Sequence, residues 1–208
     1  MKNHRAQAVL MTSVLVLLAP RLTIAQMPPN GNSQFFPSDV FGSGQSIIAR
    51  EYSRYLRSMQ EKPLAQYVSP EFPLVYRLLI VTRPWNAPVV VRLWIRSDGL
   101  SEIIIKAARD GGHPQILTVS KTVDPAPGDV GHFLKLLEHA GFWTMPALNP
   151  RSTVMGAADW MLEGLSHDLY HAVCRSSPEL RALKDPLDFL VGSLAKLDLR
   201  SLPVGPKG

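Results

Sequence analysis

Cysteine is almost absent from this chain. Its 208 residues include one, Cys174, so no disulfide can close within the molecule and stability must come from packing. Cys174 lies between Val173 and Arg175 in an apolar stretch, where a thiol reads as a small buried hydrophobe and not as a reactive group. Its position also excludes lipid attachment at a cysteine directly after a leader, because Gln26 stands there. No large excess of positive charge exists either. Lys and Arg number 22 against 17 acidic residues. Three of those cations, Lys2, Arg5 and Arg21, belong to a leader, which leaves the rest of the chain at about +2. The remaining basic residues are scattered along the sequence, apart from the short end 200–207, so no clustered phosphate-binding face is read from it and no nucleic-acid partner is expected. Also missing are G-x-S-x-G, P-loop and dinucleotide glycine patterns.

What is present begins with an address. Lys2 and Arg5 precede an uncharged run at 6–19, followed by Pro20, Arg21 and Thr23-Ile24-Ala25. That is the order of a secretory signal peptide, with small residues at the −3 and −1 positions if cleavage follows Ala25. The run falls well short of the roughly 20 apolar residues that span a bilayer as a helix. We therefore expect a signal peptide at 1–25, an exported product located in the periplasm or secreted, and no stable membrane anchor once the leader is removed. The 183 residues that follow suit one domain with a real core.

Residues 26–45 are dominated by Pro, Gly, Asn and Ser and read as a flexible linker. Ser46 is placed to cap a helix in which Ile48, Tyr52, Tyr55, Leu56 and Met59 share one face, ending at Lys62-Pro63. Four runs rich in Val, Ile and Leu then follow: Tyr76 to Thr82, Val89 to Arg96, Glu102 to Ala108 and Ile116 to Val123. Turn chemistry separates them, including Ser97-Asp98-Gly99 and Asp110-Gly111-Gly112, so a four-strand meander is expected. Arg92, Trp94 and Arg96 alternate with Val91, Leu93 and Ile95, which predicts one apolar sheet face and one more polar. Val130, Phe133, Leu134 and Leu137 trace a helical stripe closing at Gly141. Trp160 to Leu165 and Leu169 to Arg175 form a second hairpin. Asp185-Pro186 opens a last helix whose stripe is Leu187, Leu190, Val191, Leu194 and Leu197. The fold class is α+β: an antiparallel sheet, made of a four-strand meander plus a second hairpin, packed with about three helices. The domain runs 46–200, with a disordered tail at 201–208.

Phe142-Trp143-Thr144-Met145-Pro146, Trp160-Met161-Leu162-Glu163-Gly164, Tyr170-His171-Ala172-Val173 and Arg175-Ser176-Ser177-Pro178 together resemble a family of uncharacterised exported bacterial proteins. The resemblance spans about Tyr76 to Leu197. It implies a short sheet, a Phe-Trp-x-x-Pro segment after a helix and a hairpin carrying the Leu-Glu-Gly and Tyr-His pairs; it brings no assigned activity. This chain departs from the family's lipoproteins at Gln26, and it has Gly156 where members carry an acidic residue four before the tryptophan.

A hairpin turning at His167-Asp168 would oppose Gly164 to His171, Leu162 to Val173 and Trp160 to Arg175. Trp160 over Arg175 would make a cation–π pair. Glu163, Tyr170 and His171 are then the candidate catalytic residues, a polar cluster for proton transfer or ligand binding. The structural alternative satisfies Glu163 and Tyr170 by hydrogen bonds, because alternation sends His171 to the other face. His132 and His139 lie seven apart without the spacing of a metal motif, so no metal or other cofactor is expected. Ser193-Leu194-Ala195-Lys196 matches S-x-x-K, but at the end of a terminal helix and not at a helix start. The reading is a non-enzymatic exported domain that binds a protein or envelope component; the alternative is an enzyme of unknown reaction centred on Glu163, Tyr170 and His171. Oligomeric state is not specified by the sequence.

Overall fold

The computed structural model describes residues 35–42, 46–67, 69–82, 87–108, 117–149, 158–167, 169–177 and 180–199. The leader, residues 26–34 of the linker, the turn at 110–112, the loop around Gly156 and the tail 201–208 lie outside the described residues, as does the side chain of Ser46.

Six antiparallel strands form one sheet: β1 (Leu74–Thr82), β2 (Ala87–Ile95), β3 (Ser101–Ala108), β4 (Leu117–Val123), β5 (Ala158–Ser166) and β6 (Leu169–Ser176). Their order is β4-β3-β2-β1-β5-β6, a meander with the second hairpin added along β1. The expected α+β architecture is thus the one observed. At the β2–β3 corner Gly99 takes φ +85°, and the Asp98 carboxylate accepts the Leu100 N–H at 3.0 Å, the local closure that an Asp-Gly turn favours. The β5–β6 register pairs Gly164 with His171, Leu162 with Val173 and Trp160 with Arg175, as alternation predicts.

One face of the sheet is apolar across β1, β2 and β3. Tyr76, Leu78 and Ile80 of β1, Val89, Val91 and Leu93 of β2, and Ile103 and Ile105 of β3 are buried there. Above them lie α2 (Pro127–His139), with Val130, Phe133 and Leu137 buried, and the C-terminal helical segment. Gly141 ends α2 in the left-handed region at φ 68°, and the chain turns back into a 3-10 turn, Phe142–Thr144.

The other face is the more polar one, as alternation predicts, and it is covered too. Here α1 (Ser46–Ser58) lays Tyr55 and Leu56 on the sheet, with Met59 just beyond its end. Phe35, Phe36 and Phe41 are buried beside them, each 6% exposed or less. Residues 35–42 therefore belong to the domain and not to a flexible linker. Three buried aromatic side chains oppose the entropy of ordering this segment, a local effect that an average over Pro, Gly, Asn and Ser conceals.

The last helix also differs from expectation. It opens with a 3-10 turn at Arg181–Leu183, runs as α3 (Lys184–Asp188), then widens into a π-helical stretch, Phe189–Leu194. Leu183 is the N-cap of α3 and no side chain caps it, so Asp185 does not play that part. The Ala195 N–H reaches back to the Leu190 carbonyl, and this wider turn buries Leu190, Val191, Leu194 and Ala195 together.

Candidate functional site

Each of five strands contributes one polar side chain to a row across the α1-covered face. Arg77 of β1 stands directly opposite Arg92 of β2 and directly opposite Glu163 of β5. Lys106 lies one pleat along β3 from the partner of Arg92, and Tyr170 lies one pleat along β6 from the partner of Glu163. Like charges directly opposed across strands repel, so Arg77 and Arg92 require a carboxylate between them. The chain supplies it from above. After α1, Gln60 adopts φ 55°, the Glu61 N–H bonds the Leu56 carbonyl at 2.9 Å, and the Glu61 side chain descends onto the sheet.

Glu61 Oε2 lies against Arg92 Nη1 and 3.5 Å from Arg77 Nη1, while Lys106 Nζ is 2.7 Å from Oε1. Lys106 also donates to the Met59 and Gln60 carbonyls at 3.0 Å each, capping the C-terminal end of α1 with positive charge. Arg77 is bidentate on Glu163, with Nε–Oε2 at 2.7 Å and Nη2–Oε1 at 2.8 Å. Its Nη1 donates to the Lys62 carbonyl at 2.6 Å. The Tyr170 hydroxyl donates to Glu163 Oε1 at 2.8 Å. The Arg92 guanidinium stacks 4.1 Å from the Tyr67 ring centroid and 4.7 Å from that of Trp94. Arg77 and Glu163 have no solvent exposure at all.

The electrostatics follow from burial and pairing. Burial alone would raise the Glu61 pKa, but Arg92, then Arg77 and Lys106, hold it below the usual carboxylate value. Burial would lower that of Arg77, and Glu163, with Glu61 and Tyr170, more than reverses this, so its proton is held more tightly. Burial pushes the Tyr170 hydroxyl up, and the Glu163 charge pushes it further. Cys174, buried on the same face, is a free thiol whose pKa is driven up by desolvation.

Of the three candidates read from sequence, Glu163 and Tyr170 are brought together and His171 is not. The His171 ring lies on the opposite face, with Nε2 2.9 Å from the Met145 carbonyl, and burial lowers its pKa. It packs edge-on against Phe142 at 5.1 Å. Gly164, its cross-strand partner, leaves the space in which Phe142 and Trp143 sit: a Cβ built there would come within 2.8 Å of Phe142, 2.9 Å of Trp143 and 3.0 Å of Tyr76. The Phe-Trp, Leu-Glu-Gly and Tyr-His segments thus meet through the sheet. Gly164 and His171 seat the aromatic turn on one side, and Glu163 and Tyr170 complete the charged row on the other.

Arg175, opposite Trp160, sends its guanidinium to the Pro146, Ala147 and Cys174 carbonyls at 2.8, 3.2 and 2.6 Å. Those bonds, with the Cys174 N–H to the Ala147 carbonyl at 2.7 Å, cover the outer edge of β6. His132 and His139 are exposed on α2. Among the described residues no group of three His, Cys, Asp or Glu side chains is placed to hold a metal ion. Ser193 and Lys196 border a surface hollow of about 250 Å³ together with Asp124 and Asp129.

Sequence reasoning missed Glu61, Arg77 and Lys106 and read Arg92 only as part of a polar face. The signal for the arginines was present: Arg77 is the one charged residue in β1 and Arg92 the one in β2. Compared with models of known families and with the curated proteins, the chain matches none.

Proposed function

We propose that this is an exported, non-enzymatic domain that binds a protein or envelope component. The order of charge, apolar run and small residues at 1–25 supports export. The observation that carries the non-enzymatic part is the state of Glu163. A general base must reach the proton it takes; Glu163 is fully buried, and Arg77 and Tyr170 occupy both of its oxygens. A carboxylate committed in this way is framework. His171 stands across the sheet, so no acid–base pair assembles around it.

The test is a screen of the purified protein against ester, amide, phosphoester and glycoside substrates, alongside Glu163→Gln. No turnover is expected from either. Turnover by the parent that disappears in a folded Glu163→Gln protein would establish the enzymatic alternative. Mass spectrometry of the exported fraction should find an N-terminus at or near Gln26; an intact Met1 there would contradict processing.

A further inference from the structure

The side of α1 turned away from the sheet carries Ile47, Arg50, Glu51, Arg54 and Arg57, and a shallow groove of about 380 Å³ runs along them. Residues 47, 50, 54 and 57 recur at helical spacing and span about 15 Å at 1.5 Å per residue. All five side chains are exposed, Ile47 at 64%. Two of the arginines are held in place by rings: Arg54 lies 5.0 Å from the Tyr55 centroid and Arg57 lies 5.5 Å from that of Phe35.

Charge is divided between the two covering layers. In the layer made by 35–42 and 46–67, the exposed charges are four cations, Arg50, Arg54, Arg57 and Lys62, against Asp39 and Glu51. In the opposite layer, 124–149 and 180–199, four exposed cations face six acids, Asp124, Asp129, Glu138, Asp185, Asp188 and Asp198. Among the described residues, the exposed charges of the two covering layers thus sum to +2 and −2. Such a molecule meets a charged plane in one orientation, α1 first.

We infer that the arginine face of α1 is a docking surface for anionic phospholipid headgroups, on which the protein lies without inserting. Three features select a lipid surface as the occupant. Guanidinium groups bind phosphate oxygens bidentately. Ile47 gives the stripe one exposed apolar side chain of the kind that enters the headgroup boundary. The acidic layer points away from the plane. Deep insertion is excluded because the apolar face of α1 is already spent on the sheet. This deepens the proposed function by naming its envelope component, so export is read separately by osmotic-shock fractionation. A protein retained in the cytoplasm would sink the export reading and leave the vesicle result standing.

The experiment is co-sedimentation of the full chain with vesicles of equal parts phosphatidylglycerol and phosphatidylcholine. Phosphatidylcholine vesicles alone measure whatever the run at 6–19 contributes. Binding should require the anionic lipid and fall with added salt. At roughly fivefold per cation near such a surface, Arg50→Ala/Arg54→Ala/Arg57→Ala should bind about a hundredfold more weakly. Lys121→Ala/Lys135→Ala/Lys184→Ala removes the same charge elsewhere and should bind like the parent. Glu51→Lys, which disturbs no packed ring, should tighten binding by at least about fivefold, and it decides the matter if the arginine triple fails to fold. Equal loss in both triples, no change in Glu51→Lys, or indifference of the parent to phosphatidylglycerol would overturn the inference. So would tighter binding to polyglutamate than to the vesicles, which would make the partner an acidic polypeptide.

Discussion

Replacing Glu61 by glutamine keeps the shape of the side chain and removes the one carboxylate shared by Arg77, Arg92 and Lys106. Three cations then remain on the covered face with Glu163 as their only counter-charge in the row. Arg77 keeps its bidentate partner, but Arg92, 5% exposed, loses the carboxylate that Nη1 touches. Lys106 retains only carbonyls. Removing one partner from a buried ion pair typically costs about 3–5 kcal/mol, because the other charge stays behind uncompensated. For a domain held together by roughly 5–15 kcal/mol, that is a large fraction. At this size each kilocalorie lowers the melting temperature by about 2–4 °C, so Glu61→Gln should melt about 6–20 °C below the parent.

Urea titration followed by tryptophan fluorescence measures the effect directly, with an unchanged m-value confirming that the folded state is the same one. Glu71→Gln is the control. Glu71 pairs with Arg96 at 3.3 Å, but both side chains are well exposed, and a pair of that kind is worth at most about 1 kcal/mol. In Glu61→Gln/Lys106→Met the second change removes a stranded cation, so the double variant should recover part of the loss, a coupling that contact between the two side chains requires. If Glu61→Gln unfolds at the same urea concentration as Glu71→Gln, the cations do not depend on Glu61 and it does not hold the row together.

Gly164→Ala should destabilise by about 1–3 kcal/mol, because its Cβ has no room beneath Phe142, Trp143 and Tyr76; a neutral melt would mean that the aromatic turn shifts freely. Phe142→Ala, at a fully buried site, should cost about 3–5 kcal/mol by urea titration, and less than about 1 kcal/mol would show the turn to be dispensable. Burial lowers the pKa of His171 below its ordinary 6.5, so as pH falls through that value the unfolded chain takes up a proton that the folded chain refuses. Stability present above pH 6.5 is therefore lost on acidification, and His171→Gln should flatten this part of the pH profile; an identical slope would place the titration elsewhere. Limited proteolysis should spare bonds within 35–42, and rapid cleavage there would contradict the burial of Phe35, Phe36 and Phe41.

The strands were legible because each is a run of Val, Ile and Leu bounded by turn chemistry, and a period of two assigns faces without knowledge of what covers them. That is how His171 could be separated from Glu163 on sequence grounds. The charged row was not legible, because its keystone comes from outside the sheet. Glu61 sits in Gln60-Glu61-Lys62-Pro63, which reads as the polar end of a helix, and only the left-handed turn at Gln60 aims it inward. Phe35, Phe36 and Phe41 were hidden in the same way by the residues around them. The π-helical stretch at Phe189–Leu194 leaves the apolar stripe nearly unchanged, so periodicity alone could not announce it.

The two faces of the sheet are held by different physics, and the difference bears on register. Across β1, β2 and β3 the contacts on the α2 side are apolar and directionless. On the α1 side they are not: a one-residue slip of β1 would carry Arg77 to the apolar face and leave Glu163 and Glu61 without it. Buried ion pairs contribute little net stability against well-packed apolar residues, but misplacing them is severely penalised. Arg77 touches elements before and after it in the chain, the Lys62 carbonyl on one side and Glu163 on the other. Only one alignment of β1, β2 and β5 satisfies it while Glu61 also reaches Arg92 and Lys106. The row therefore acts by excluding alternatives. It aligns the central strands with one another and fixes the end of α1 above them, which in turn sets the direction in which the arginine face of that helix looks outward.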